Sequence, residues 1–146
     1  MKKHAIVIVI TAGTLLLTGC GSSAPAAKDG VATADQMSSI DKVARAVAAE
    51  KYDDAAAAGY YTFSNGGTTQ DTKKMADSRK EHASYWDAIK ADFDKGCTLV
   101  ADSVNGNGAI FSNVVCKGES KPQYAVAAWY MMGKLASISA TDASQS

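Results

Sequence analysis

The chain has 146 residues, 47% of them hydrophobic, and its 15 Lys and Arg balance 15 Asp and Glu. That size allows one ordinary domain with a single core, and no internal repeat is visible. With no net charge and no basic run longer than Lys73-Lys74, the chain lacks the positive field a nucleic-acid partner requires.

The first twenty residues specify an address. Lys2 and Lys3 form a positive start, and Ala5 to Leu17 is an apolar run broken only by Thr11, Gly13 and Thr14. The run is too short for the roughly 20 helical residues that cross a bilayer and has the length of a secretory signal. Leu17-Thr18-Gly19-Cys20 follows, and it resembles the lipobox of bacterial lipoprotein signal peptides. The resemblance implies that residues 1–19 are removed and that Cys20 carries a diacylglyceryl group and an N-linked acyl chain, a stable anchor. Gly21, where an aspartate would favour inner-membrane retention, points to the outer membrane and a domain facing the periplasm.

Cleavage would leave residues 20–146, with 13 basic against 15 acidic side chains. Residues 20–32, the lipidated cysteine and a small, polar, Pro25-containing stretch, read as a flexible tether. The domain itself is expected over residues 33–140, and residues 141–146 form a polar tail expected to fray.

Within the domain, Ser38 or Ser39 is positioned to cap a first helix whose Met37, Ile40, Val43, Ala44, Val47 and Ala48 recur at helical spacing. Asp53 and Asp54 open a second, short helix over Ala55–Ala58, which Gly59 ends or Tyr60 and Tyr61 extend. Ser64-Asn65-Gly66-Gly67 reads as a loop. A third helix is predicted from Thr72 to Phe93, with Met75, His82, Trp86, Ile89 and Phe93 on one stripe.

From Cys97 onward the period changes to that of strands. Asn105-Gly106-Asn107-Gly108 is a strong turn signal. A hairpin centred there pairs residues whose numbers total 213, which sets Cys97 opposite Cys116. With a four-residue loop and Val104 opposite Ala109, the cysteines fall at a non-hydrogen-bonded pair, Cα atoms about 4.5 Å apart, within disulfide reach. A tighter loop would shift that phase. An oxidising exported compartment favours the bond, and nothing resembles a redox C-x-x-C motif. Lys117 to Pro122 is a loop, and Gln123 to Met132 reads as a central strand apolar on both faces. One face carries Tyr124, Val126, Ala128, Tyr130 and Met132, the other Ala125, Ala127, Trp129 and Met131. Gly133-Lys134 is a tight turn before a last strand, Leu135 to Ala140. Three helices followed by a four-stranded antiparallel meander is the α+β pattern.

Two segments carry a further resemblance. Val43 to Ala58, with Tyr52, Asp53 and Ala55 in a Y-D-x-A pattern, and the ending Tyr130 to Ile138 are similar to small domains of the nuclear transport factor two type, the cystatin-like fold also seen in SnoaL-like proteins. The match spans roughly 25 of 127 residues. Met132 stands where the family's final hairpin commonly has Asp, and Leu135 where it has an aromatic. The segment from Thr72 to Phe93 is also longer than expected for the family. The resemblance implies a sheet packed against helices. It also brings in members that are isomerases with an Asp base and a Tyr donor, although no motif selects one tyrosine here.

Catalytic signatures are otherwise missing from the sequence. There is no nucleophile elbow, Walker loop or dinucleotide fingerprint. His82, the sole histidine after cleavage, has Ser78, Arg79, Tyr85 and Trp86 three or four residues away, none a suitable metal partner. With both cysteines assigned to a disulfide, neither a metal nor a cofactor is expected. Asp53-Asp54 reads as a helix start, and Asp92 with Asp94 as a solvated helix end. What stands out is an aromatic group, Tyr60, Tyr61, Tyr85, Trp86, Tyr124, Trp129 and Tyr130, with Phe63 beside it. Core packing is the simpler reading of that group; because tyrosine hydroxyls need partners when buried, a pocket or protein-binding surface is the alternative. The chain is therefore read as a membrane-anchored, non-enzymatic envelope module that binds a protein or ligand, with self-protection by immunity or exclusion as one subclass. The alternatives are a small-molecule-binding or enzymatic domain with a pocket between helices and sheet, and a structural envelope component.

Overall fold

The computed structural model describes residues 24–145. The stretch expected to be a signal peptide, the lipobox-like Leu17–Cys20 and residues 20–23 of the expected tether lie outside the described residues, as does Ser146. Four helices and six strands follow in order: α1 (Ala34–Ala48), α2 (Tyr52–Ala57), β1 (Thr62–Ser64), β2 (Gly67–Thr69), α3 (Thr72–Glu81), α4 (Ala83–Asp94), β3 (Thr98–Val104), β4 (Ile110–Val115), β5 (Tyr124–Met131) and β6 (Lys134–Asp142). The architecture is α+β. Strands β3-β4-β5-β6 form an antiparallel meander, and β1 and β2 form a separate two-stranded hairpin.

α1 begins earlier than the serines suggested, because Thr33 rather than Ser38 or Ser39 caps it. The Gln36 N–H donates to Thr33 Oγ1 at 3.1 Å, and the Thr33 N–H donates to Gln36 Oε1 at 2.9 Å. This reciprocal box satisfies two main-chain donors that a helix start leaves open. The helix closes with Glu50 in the left-handed region (φ 59°) and the Lys51 N–H donating back to the Ala46 carbonyl at 2.8 Å. That arrangement usually employs glycine. The expected apolar stripe of α1, Met37 through Ala48, is buried.

The single helix expected from Thr72 to Phe93 is instead two, divided at His82 (φ −126°, ψ 33°). Met75, Trp86, Ile89 and Phe93 still face the core, so the periodicity survives a one-residue interruption that it could not reveal. The step brings together Arg79 and Asp87, which form an ion pair across it. On a straight helix, eight residues would separate them by about 12 Å. Among the described residues there are thus four α-helices where three were expected.

The Ser64–Gly67 loop is the tip of the β1–β2 hairpin, in which Thr62 pairs with Thr69. Tyr60 bridges to Leu135 in parallel, and the Tyr61 N–H donates to the Leu135 carbonyl at 2.9 Å. This segment therefore lies along the outer side of β6.

The β3–β4 hairpin keeps the predicted register at its disulfide end, with Thr98 opposite Val115 and Ala101 opposite Ser112. A bulge at Asp102 then shifts it by one, so Val104 faces Ile110 rather than Ala109. The Asn105 side chain explains the longer loop, because its Oδ1 accepts from the N–H groups of Asn107 (3.0 Å) and Ala109 (2.9 Å). Cys97 and Cys116 are disulfide-bonded with Cα atoms 4.4 Å apart. A second bulge, at Ala136, interrupts the β5–β6 pairing. The turn between those strands is Met132–Gly133, one residue earlier than expected, and Lys134 already pairs with Met131.

Helices cover one face of the meander, where Leu99, Val114, Val126, Ala128, Leu135 and Ile138 meet the α1 and α4 stripes. Ala109, Phe111 and Ala127 cluster on the other face with half-buried Trp129. β5 is buried on both faces from Ala125 to Ala128, but not toward its end at Met131.

Both ends of the domain are more tightly held than a tether and a frayed tail. Ala26 pairs in parallel with β3: its N–H donates to the Leu99 carbonyl and the Ala101 N–H donates to its own carbonyl, both at 3.0 Å. Lys28 Nζ reaches the carbonyl of bulged Asp102 at 2.8 Å. The physical reason is the free edge of β3, whose main-chain groups seek partners. Similarly, β6 runs on to Asp142, and the Ala143 N–H donates to the Gln123 carbonyl at 3.0 Å. None of the described helices is long and apolar enough to cross a membrane.

Candidate functional site

The fold distributes the aromatic group over four places. Trp86 is fully buried in the core. Trp129 lies on the face of the sheet away from the helices. Tyr85 and Tyr124 meet edge-to-face, ring centroids 6.3 Å apart. Tyr124 also lines a shallow cleft of about 460 Å³ with Pro122, Asp142 and Ser144. Tyr60, Tyr61 and Tyr130 gather where α1 starts and the β5–β6 turn ends.

Tyr61 and Tyr130 line a cleft of about 350 Å³ together with Asp35, Gln36, Ser39, Gly59, Gly133, Lys134 and Leu135. Each wall has a local cause. The Thr33 box sets the first turn of α1, which presents Asp35, Gln36 and Ser39. Gly59 (φ 95°) terminates the segment after α2 and releases the chain toward Tyr61. The Met132–Gly133 turn (φ 51° and 77°) returns β6 so that Lys134 and Leu135 form the opposite wall.

The polar groups of this region have defined roles. Tyr130 Oη donates to the Gln36 carbonyl at 3.3 Å. Burial pushes its phenol pKa above the ordinary value, against the hydrogen bond with the Ser39 side chain. Lys134 Nζ stands 4.6 Å from the centre of the Tyr61 ring, a cation–π contact. Tyr60 is almost fully buried behind the cleft, its hydroxyl close to the Ile138 main chain and the Ser78 side chain. Burial is again the larger effect and raises its pKa. Both phenols are therefore protonated at neutral pH and act as hydrogen-bonding groups rather than bases. The cleft offers two aromatic rings, one cation and one carboxylate, a set suited to holding a chemical group in place.

The remaining candidates lie elsewhere. Half-buried His82 sits at the α3–α4 step. Asp53 and Asp54 occupy the first turn of α2, beside a cleft of about 430 Å³ that includes Glu50, Tyr52 and Lys73. Asp92 and Asp94 pair with Lys95 (2.9 Å) and Lys90 (2.7 Å). Asp92 also approaches Cys97 and Cys116 within 4.8 Å, but both sulfurs are bound to each other. Asp35 and Gln36 carry no expectation in the sequence, and Ser39 and Lys134 stand there only as a cap candidate and a turn residue. Thr33-x-x-Gln36 was the available signal, because it places the helix start at the cleft. Arg45 and Arg79, whose contacts join several elements, left no signal.

No protein-family model matches this chain, and neither a curated protein nor a solved structure matches it.

Proposed function

We propose that this chain is a lipid-anchored bacterial envelope protein whose domain is a non-enzymatic binding module, with the Tyr61–Tyr130 cleft as its binding site. The observation that carries this reading is Leu17-Thr18-Gly19-Cys20 directly after a charged start and an apolar run. Cys20 is the anchor, Gly21 directs the protein to the outer membrane, and the domain faces the periplasm with an envelope protein as its partner. A disulfide across the first hairpin suits that oxidising compartment. A self-protective role, by immunity or exclusion, accords with a small stapled domain held at the envelope. The helices-then-meander order supports the cystatin-like label as the finer description of the fold.

Intact mass of the protein from detergent-solubilised membranes tests the anchor. The expected species is residues 20–146 plus acyl groups. An uncleaved, unacylated chain would overturn the localisation. A second reading, a small-molecule carrier, is favoured by the cleft's volume, which reaches the lower end of ligand-pocket sizes. Saturable binding of an apolar fluorescent probe, displaced on Tyr61→Ala, would support it.

A further inference from the structure

Next to the cleft stands a side chain in an unfavourable position. Met132 is 88% exposed and lies in the left-handed region at φ 51°. With Gly133 at φ 77°, it forms the two-residue turn between β5 and β6. Such turns favour Asn, Asp or Gly at the first position, because glycine has no Cβ to clash and the short Asn or Asp side chain bonds the local backbone. Methionine does neither and exposes an apolar side chain. Met131, 39% exposed, extends the same apolar tip. The tip therefore presents a flexible apolar knob, a residue type adapted to filling irregular pockets.

The cleft beside it is the corresponding hole. Its floor is apolar at Leu135 and the rings of Tyr61 and Tyr130, and its rim carries Asp35 and Lys134. Both rim residues are exposed, and neither makes an ion pair within the chain among the described residues. Knob, hole, a carboxylate and an ammonium that rests on the Tyr61 ring thus share one end of the molecule. A surface of that kind is self-complementary under a two-fold axis, which brings the knob of each copy to the hole of the other.

We infer that this end is a homodimer interface, with Met132 of each copy seated in the Tyr61–Tyr130 cleft of the other and Lys134 facing the partner's Asp35. The inference deepens the proposed binding role of the cleft and rests on it. The anchoring bilayer is a poorer occupant for Met132. The chain joins the sheet at Ala24, whose carbonyl accepts from Thr98 Oγ1 at the start of β3. That is the disulfide end, whereas the Met132 tip lies at the far end of β5, about 26 Å away for eight residues. Cys20 is four residues before Ala24, a reach of at most about 14 Å. A lipidated Cys20 therefore holds the opposite end of the domain toward the membrane.

The test uses the purified full chain in detergent, as an equal mixture of ordinary and ¹⁵N-labelled protein. Sedimentation velocity should show a dimer, and carbodiimide should join Lys134 to Asp35 by an amide bond with loss of water. Half of those linked peptides should contain one labelled and one unlabelled partner. Met132→Asn places a residue the turn prefers, so this variant should fold as well as the parent by thermal melting. It should nevertheless dimerise at least about tenfold more weakly and lose the mixed cross-link. A monomeric parent, Lys134–Asp35 links only within one isotope, or a Met132→Asn variant as dimeric as the parent would overturn the inference. So would binding of the monomer to phosphatidylglycerol vesicles that Met132→Asn abolishes, which would assign the tip to a bilayer. Intact mass of the same sample reports acylation of Cys20 separately, so an acylated monomer refutes the interface alone and an unacylated dimer refutes the anchor alone.

Discussion

Arg45 and Cys97 are separated by 52 residues and joined by one hydrogen bond, from the guanidinium to the Cys97 carbonyl at 3.2 Å. The same side chain grips Asp41 through Nε at 3.0 and 3.1 Å and stacks over the Phe93 ring at 4.3 Å. One residue thus connects α1, α4 and the disulfide. Arg45→Lys keeps the charge but loses the planar fork and its stacking. Its expected cost is about 1.5–2 kcal/mol in urea unfolding, the lower part of the range for hydrogen bonds to charged groups. A loss below a few tenths would show that the bridge contributes nothing.

Arg79 is 6% exposed and ion-paired with Glu50 at 3.4 Å and with Asp87, both largely exposed. It also donates to the Ala48 carbonyl at the end of α1, at 3.4 Å. Its stem fills space between helices, so truncation and charge removal should separate. Arg79→Ala is expected to cost about 2–4 kcal/mol through the void it leaves. Arg79→Met should recover most of that, because it refills the space and the carboxylates it leaves, Glu50 and Asp87, are exposed and regain water. Equal destabilisation by both variants would place the stabilisation in the charge.

The disulfide closes a loop with a sequence separation of 19. Replacing both cysteines by serine should lower the unfolding free energy by about 3 kcal/mol on the chain-entropy model. The meander should be retained, because Leu99 and Val114 still pack beneath it. Retention of the parent's stability would mean the staple constrains a hairpin already formed in the unfolded chain.

Burial raises the phenol pKa values of Tyr60 and Tyr130 above the ordinary 10.0. An acid whose folded pKa is raised contributes stability that is fully present below its unfolded pKa. That stability is lost as pH climbs through the folded value. Urea unfolding should therefore show constant stability from neutrality to about pH 10 with respect to these groups, and a decline above it. Tyr60→Phe removes one of the two titrations and should flatten the decline. It should also cost about 1–2 kcal/mol at pH 8 by removing the hydroxyl that stands beside the Ile138 main chain. An unchanged alkaline slope would show that Tyr60 does not titrate in that window.

Ala26→Pro deletes the N–H that meets the Leu99 carbonyl. Hydrogen exchange should then accelerate at Ala101, whose N–H donates to the Ala26 carbonyl, with the rest of the meander protected as before. Uniform loss of protection would mean that residues 24–28 belong to the cooperative core.

Much of this molecule was legible along the chain because the governing interactions are local. Helical spacing from Met37 to Ala48 identified the buried face of α1. Asn-Gly turn chemistry and strand alternation together placed Cys97 opposite Cys116. The switch of period at Cys97 announced helices followed by a meander. The departures were also local in origin but silent in periodicity: the step at His82, the bulge at Asp102 and the Thr33 cap each alter one residue without disturbing the apolar stripe. The cleft is of another kind. Tyr130 and Gln36 meet across 94 residues, and Tyr61 reaches Lys134 only because the segment after α2 lies beside β6. Sequence pattern determined which face of each element is apolar, and so the fold class. Which side chains share an end of the domain was decided only when α1 packed on the sheet, because that geometry depends on the shape of the whole core rather than on any one segment.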